Sequence, residues 1–394
     1  MIYRMVNEER MPQVEDLWDY CFEHKDEPFF QYYFNEYCGK DNMVIGAFEE
    51  IGDTEKLRSM LHINPYMLNI RGVKQIAPYI VGVATAPEAR GQHLFRPLLE
   101  TALEVLRAQN MTFVTLMPIY AGIYLPYQFS YCYYRHQYKM PLAQLQPGAY
   151  GDGLAVEHIA LDSAVLAPLY AKLTAAYNGV PERTPFQWNK LLSVHKLEKV
   201  QCAVVYRDGE AQGYMLYSVA DEVFTVIELL AADQQVRNRL LHYAALHQSS
   251  AKKFIWLAEA WDKSYLSFAD QSLTGSIAPF MMARCLDARR ALSQLVVPKT
   301  VAGGSVVLLL TDNVIERNNH LLKIDIAPEV LEVHSTMEAE EITMDMGTFT
   351  QMYFGTFTAT ELWEAGKIKA ASLHKLQLLD ELFPKCRTYI NEYF

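Results

Sequence analysis

Apolar and polar positions in the first third of the chain switch between the period of a strand and that of a helix. Apolar runs at 2–6 and 43–48 are typical of β-strands, and the helical spacing between them predicts an amphipathic helix over 12–24. Two longer apolar runs, 60–70 and 74–86, predict a further pair of strands. The mixture indicates a sheet with helices packed on it.

The two longer strands carry turn and break signals. Arg71-Gly72-Val73 lies between them and predicts a hairpin. Pro65 and Pro78 each lack the N–H that a sheet ladder needs, so we expect the strands to be shortened or bulged there.

A second helical pattern follows the hairpin and covers 94–106. Pro97 lies within it, which predicts either a late start or a kink. Strands are predicted at 112–117 and 131–140, with a short helix or turn between them. The predicted order of this region is β-α-β-β-β-α-β-α-β.

The remaining chain divides into two further units. Two prolines and three glycines at 141–153 indicate a boundary, and the segment 154–287 repeats the strand and helix pattern of the first. The pattern of predicted elements changes again near residue 292, where short strands precede a capping box at Thr358 and Glu361. We therefore predict an α+β protein with three domains at 1–145, 146–290 and 291–394.

The stretch from Val81 to Phe95 points to chemistry. An apolar strand breaks at Pro87, a short loop with Arg90 and Gly91 follows, and then a helix begins. Such a junction gathers unpaired backbone N–H groups at the positive end of a helix dipole, which suits a pyrophosphate. The equivalent loop of the second unit, 231–238, has no glycine and an added acid, so we expect it not to hold pyrophosphate.

The composition of the chain limits the classes of molecule that it is expected to bind. The formal net charge is −11, which opposes binding to nucleic acid or to an anionic membrane surface. The six cysteines show no metal-site spacing and are expected to be reduced thiols of a cytoplasmic protein. No signal peptide or membrane-spanning run is predicted, and no metal is expected.

The pattern Val-x-Val-x-x-x-Pro-x-x-Arg-Gly-x-x-Leu, with this order of elements, resembles the GCN5-related N-acetyltransferases (GNATs). Arg90 matches the first position of the family's Gln/Arg-x-x-Gly-x-Gly/Ala loop, whereas His93 and Phe95 stand where small residues are usual. The resemblance implies that this loop binds acetyl-CoA. The cofactor-binding residues that it implies are Val83, Thr85, Arg90, Gly91, Gln92, His93 and Leu94.

The whole chain resembles the Eis-type subgroup, which joins an active GNAT domain, a degenerate second copy and a domain like sterol carrier protein 2 (SCP2). The segments that carry this likeness are 281–287, 362–368 and 379–384. The resemblance implies a homo-oligomer, with a hexamer as one form.

The same resemblance implies catalytic roles. Tyr131, in Phe129-Ser130-Tyr131, takes the place of the general acid, and the terminal carboxylate of Phe394 takes that of the base. From the residues alone, Tyr131 could equally be a core tyrosine, and a terminal carboxylate is usually solvated.

The acceptor and one rival function stay open. Asp26 and Glu392 are candidates for binding a cationic substrate, or else solvated acids. The acceptor amine could belong to a small polyamine or aminoglycoside-like molecule, or to a protein. The alternative to an enzyme is a non-catalytic lipid- or ligand-binding protein, with a GNAT domain inactivated at His93.

Overall fold

The computed structural model describes residues 1–39, 42–271 and 275–393. The first region of the chain contains β1 (Ile2–Met5), α1 (Met11–Cys21), α2 (Pro28–Tyr32), β2 (Met43–Ile51), β3 (Thr54–Asn64), β4 (Met67–Ile70), β5 (Val73–Ile76), β6 (Tyr79–Thr85), α3 (Phe95–Ala108), β7 (Phe113–Leu116), β8 (Ser130–Tyr131) and β9 (Tyr134–Pro141). The second contains β10 (Leu154–Ile159), α4 (Ser163–Thr174), β11 (Val180–Pro181), α5 (Pro185–Leu197), β12 (Gln201–Arg207), β13 (Glu210–Ala220), β14 (Val223–Ala231), α6 (Gln234–Ala245), β15 (Lys253–Glu259), β16 (Ser276–Pro279) and β17 (Met282–Cys285). The third contains α7 (Ala288–Ser293), β18 (Gly304–Thr311), β19 (His320–Ala327), β20 (Val330–Ser335), β21 (Ile342–Asp345), α8 (Met346–Tyr353), α9 (Ala359–Glu364), β22 (Lys369–Ala370) and α10 (Leu373–Leu382). The predicted α+β class is confirmed.

The prolines divide the longer predicted strands. Each becomes two strands, with the breaks at Pro65 and Pro78, and the hairpin lies between β4 and β5. Arg71 and Gly72 form its turn, both with positive φ (52° and 81°), as a tight hairpin turn requires. These two strands leave the main sheet and form a separate sheet, in which β4 pairs with β11 of the second region.

The first two large sheets exchange strands. The order β1-β2-β3-β6-β7-β17-β8 places a strand from the second region inside the first sheet. The predicted strand over 131–140 is in fact two strands, because the chain leaves the first sheet after Tyr131. Its second half, β9, joins the second sheet, β10-β12-β13-β14-β15-β9-β16. The predicted boundaries therefore cut across strand pairings.

Helix α3 covers the first sheet and starts where its sequence permits. Pro97 is its third residue, where a helical N–H has no intrahelical acceptor, so the proline causes no loss of a helical hydrogen bond. Its buried face, including Leu98, Leu99 and Leu103, packs on Ile80 and Leu116 of the sheet.

The corresponding helix of the second region, α6, starts differently. The Asp233 carboxylate accepts a hydrogen bond from the Val236 N–H at 2.9 Å and is paired with Arg207 at 3.0 Å. A carboxylate of the chain thus occupies the position that an anion would take, which supports the expectation that this copy holds no pyrophosphate.

The third region forms the sheet β20-β19-β18-β21-β22, covered by helices. The predicted capping box is confirmed, since Thr358 caps the Glu361 N–H and the Glu361 side chain accepts from the Thr358 N–H. Gly366, with φ 73°, follows the end of α9. In the described part of the chain, no helix combines the length and the apolar character needed to cross a membrane.

Candidate active site

The first sheet opens between β6 and β7. These parallel strands pair only at Tyr79–Thr115 and Ile80–Leu116 and then diverge. From Val81 to Thr85, β6 is paired with β3 on one side only. Its other edge can therefore offer backbone hydrogen bonds to an extended ligand.

A β-bulge shapes β6 at this opening. The pairing with β3 shifts between Met60 and His62, and Gly82 has a φ of 56°. A Cβ at Gly82 would lie 2.4 Å from the Trp18 ring and 3.2 Å from the His62 ring, so only glycine fits. Gly82 is not among the site residues predicted from the sequence, although a glycine inside a strand pattern is a known signal of a bulge.

The loop after β6 presents free backbone donors. The N–H groups of Gly91, His93, Leu94 and Phe95 have no protein acceptor among the described residues. They precede and open α3, where the helix dipole adds positive potential. Gly91, Gln92 and His93 are exposed, so a ligand can reach them. The geometry fits a pyrophosphate.

His93 adopts the backbone conformation for which glycine is favoured. Its φ is 57°, in the left-handed region, as is that of Gly91 at 78°. The His93 side chain is exposed, so a histidine where the family pattern has a small residue leaves the path of the loop backbone unchanged. Arg90 and Thr85 are joined by a hydrogen bond from the Arg90 guanidinium to the Thr85 carbonyl, at 3.3 Å.

Tyr131 lies level with the point where β6 and β7 diverge. Ile80, Leu116, Met282 and Tyr131 are directly paired across four neighbouring strands, so their side chains share one face of the sheet. Tyr131 and Val83 both pack against the apolar cluster under α3. Partial burial raises the pKa of the Tyr131 hydroxyl above its ordinary value, so this group is protonated at neutral pH.

The last described residues run through the interior. Tyr389, Ile390, Asn391 and Glu392 are all buried, and Tyr393 is 43% exposed. Arg135 donates to the Ile390 carbonyl at 2.5 Å and to the Asn391 side chain at 2.7 Å. Phe394 lies outside the described residues. The segment that leads to it is packed between the first two regions.

A buried charge network holds this tail. The Arg183 guanidinium binds both carboxylate oxygens of Glu228, at 2.9 and 2.8 Å, and also binds Glu392 at 2.8 Å. Tyr214 and Tyr389 donate to Glu228 at 2.8 and 2.5 Å. Arg183 and Glu228 are not predicted from the sequence, since no local pattern marks them.

A cavity of about 570 Å³ lies beside the tail. Its wall is largely apolar and is formed by the β4–β5 hairpin, α5, the middle of β14 and of β15, and the tail. Glu392 lines it, but its carboxylate is already paired with Arg183. The charge of the other lining carboxylate, Glu198, is balanced by that of the lining Lys190. Asp26 is exposed and does not line it, so the structure does not bring the two predicted acceptor-binding acids together.

The chain is similar to known proteins in all three regions. Family models for an acetyltransferase (GNAT) domain match residues 2–132, and a second such model matches 179–285. A sterol carrier protein domain model matches 288–391. No curated protein matches the sequence. In the described residues no cluster of His, Cys, Asp and Glu could hold a metal ion.

Several solved structures share the fold over the full length. A probable N-acyltransferase from Enterococcus faecalis V583 has a TM-score of 0.88 at 21% identity, covering 100% of this chain and 99% of its own. A GCN5-related N-acetyltransferase from Anabaena variabilis has a TM-score of 0.84 at 19% identity, covering 100% of both. Eis1 from Mycobacterium abscessus has a TM-score of 0.77 at 17% identity, again covering 100% of both.

Proposed function

Because the chain is an Eis-like GNAT acetyltransferase with a second GNAT domain and a C-terminal sterol carrier domain, we propose that it transfers an acetyl group from acetyl-CoA to a primary amine. The observation that carries this proposal is the free edge of β6, which leads directly into the unpaired N–H groups at the start of α3. The amine attacks directly while both substrates are bound.

The residues around this edge have distinct tasks. Acetyl-CoA supplies an acetyl thioester when bound. The N–H groups of Gly91, His93 and Leu94 hold its pyrophosphate, beside the side chains of Arg90 and Gln92. The edge of β6 at Val83 and Thr85 holds its extended arm. A backbone N–H near Val83 stabilises the negative charge that develops on the thioester oxygen.

Two groups move protons. As the C–N bond forms and the C–S bond breaks, the terminal carboxylate of Phe394 takes a proton from the amine and Tyr131 donates one to the leaving sulfur. The Tyr131 hydroxyl is protonated at neutral pH, as a proton donor must be. The tail is buried as far as Glu392. This burial supports the proposed role of the Phe394 carboxylate, two residues later, as the base.

The two proton-transfer roles are tested by separate variants in a coupled assay for free CoA. Tyr131→Phe should lower kcat by about a hundredfold, within the range for a lost general acid, while the affinity for acetyl-CoA is kept. A glycine appended after Phe394 should lower kcat similarly. Phe394→Leu is its matched control, because it changes the side chain but leaves the carboxylate in place. Equal kcat values in the extended and the unmodified chain would remove the terminal base from the mechanism.

The cavity beside the tail is our candidate for the acceptor site. Its apolar wall and the pairing of Glu392 with Arg183 favour an amine on an apolar body over a polycation. We expect a higher kcat/KM for an arylalkylamine than for spermidine, an aminoglycoside or a lysine peptide. Preference for the polycations would contradict this choice of acceptor without affecting the assignment of the acetyl-CoA site.

A further inference from the structure

A second cavity, also of about 570 Å³, lies where the first and third regions meet. Guanidinium groups from three separate elements line it: the end of α3, the helix α7, and the loop before β19. The four arginines are Arg107, Arg289, Arg290 and Arg317.

The positive charge of this cavity is largely uncompensated. Asp287 is the acid that lines it, 3.6 Å from Arg107. Arg290 donates to the backbone and side-chain oxygens of Asn110, and Arg289 to the Ser335 hydroxyl. Four guanidinium groups and one carboxylate leave three positive charges, in a chain whose net charge is −11.

Several of these groups retain free donors. The Nε atom of Arg107 is buried without a hydrogen-bond partner among the described residues. Arg317 is exposed and forms no ion pair within the described part of the chain. Burial lowers the pKa of His320, and the nearby Arg289 and Arg107 add to this effect while Asp287 opposes it.

We propose that this cavity is a binding site for a small anion that carries two or more linked phosphate groups. Planar guanidinium groups bind phosphate oxygens in pairs, and four of them around one cavity can engage more than one phosphate. Arg107 is twelve positions after Phe95 in α3, about 18 Å along the helix. The cavity is therefore distinct from the loop that we assign to acetyl-CoA.

Calorimetric titration of the full chain tests this proposal, with pyrophosphate and ADP as probes. Saturating CoA is present so that the loop before α3 is occupied. We expect saturable 1:1 binding, with affinity for pyrophosphate and ADP weakened about tenfold or more in R289Q/R317Q, because hydrogen bonds to charged groups are strong. Tighter binding of ADP than of pyrophosphate would show that the organic part is also recognised.

The control is K139Q/K252Q, which removes the same charge from exposed positions in β9 and just before β15. It should bind pyrophosphate like the unmodified chain. R317Q alone alters only an exposed side chain, and it should weaken binding without lowering the melting temperature. The proposal fails if the unmodified chain shows no saturable binding at millimolar pyrophosphate, or if R289Q/R317Q binds as tightly as the control.

Discussion

At the scale of single residues, His93 tests whether the anion loop depends on its backbone or on its side chain. A left-handed conformation costs an ordinary residue about 1–2 kcal/mol and is worse for β-branched side chains. His93→Gly should keep CoA affinity, because the same N–H groups remain. His93→Val should weaken both CoA binding and stability. Thermal melts with and without CoA measure both quantities, and unchanged CoA affinity in His93→Val would show that the loop tolerates strain.

Glu228 gives the fold a specific sensitivity to acid. Burial alone would raise its pKa, but Arg183 and the tyrosine hydroxyls outweigh this, and the pKa lies below its ordinary value. A depressed carboxyl pKa contributes stability that is present above the unfolded pKa of about 4.3 and is lost as pH falls through the folded value. We expect the melting temperature to drop below about pH 4, and less steeply in Glu228→Gln, which also starts lower. Parallel pH curves for the two proteins would contradict this role.

These residues differ in how far the sequence could predict them. The loop proposed to bind acetyl-CoA is contiguous, so the sequence predicts a strand, a break and a helix start in order. Arg183, Glu228 and Glu392 are 45 or more positions apart and meet only in the folded chain. In a sequence each of them looks like a solvated charge, which is why Glu392 was expected to serve the acceptor rather than Arg183.

At the scale of elements, the tail is held by several separate side-chain contacts, and these contacts can be removed one at a time. Tyr389 belongs to the tail and Tyr214 to β13, yet both hydroxyls donate to Glu228. Tyr389→Phe and Tyr214→Phe should therefore each cost about 1.5–3 kcal/mol of stability. Only Tyr389→Phe should also lower kcat, because it loosens the segment that leads to Phe394. Denaturant unfolding and steady-state kinetics on both variants separate the effects, and equal loss of kcat would mean that the tail has no special role.

The ends of several helices and strands are set by nearby residues, and these ends could be predicted from the sequence. Pro65 and Pro78 ended strands, and the Thr358 capping box opened α9, as the sequence indicated. The division of the predicted strand over 131–140 could not be predicted, because strand-forming tyrosines occur in both halves. Which sheet each half joins depends on partners more than 100 residues away, β17 for Tyr131 and β15 for Lys139.

At the scale of the whole molecule, the three regions share their cores. One apolar cluster joins Phe113 of the first sheet, Ala283 of β17 and Phe349 of the third region. The tail of the third region then passes between the first two and anchors on Arg183. The proposed acetyl-CoA site, acceptor cavity and terminal base thus come from different regions, so the geometry of the site depends on the assembly of the entire chain.

This interlocking predicts that the first region cannot fold alone. A fragment of residues 1–145 keeps β7 and β8 but lacks β17, which lies between them and pairs with both. It also leaves β9 without β15 and β16 on either side. The fragment should show no cooperative thermal transition by circular dichroism, whereas the full chain should unfold in one calorimetric transition. Co-expression with residues 146–394 supplies the missing strands and should restore a soluble complex. A sigmoidal melt from the isolated fragment would contradict this prediction. It would mean that the apolar cluster under α3 is enough to stabilise the first region, and that the first region folds without the strands it shares with the second.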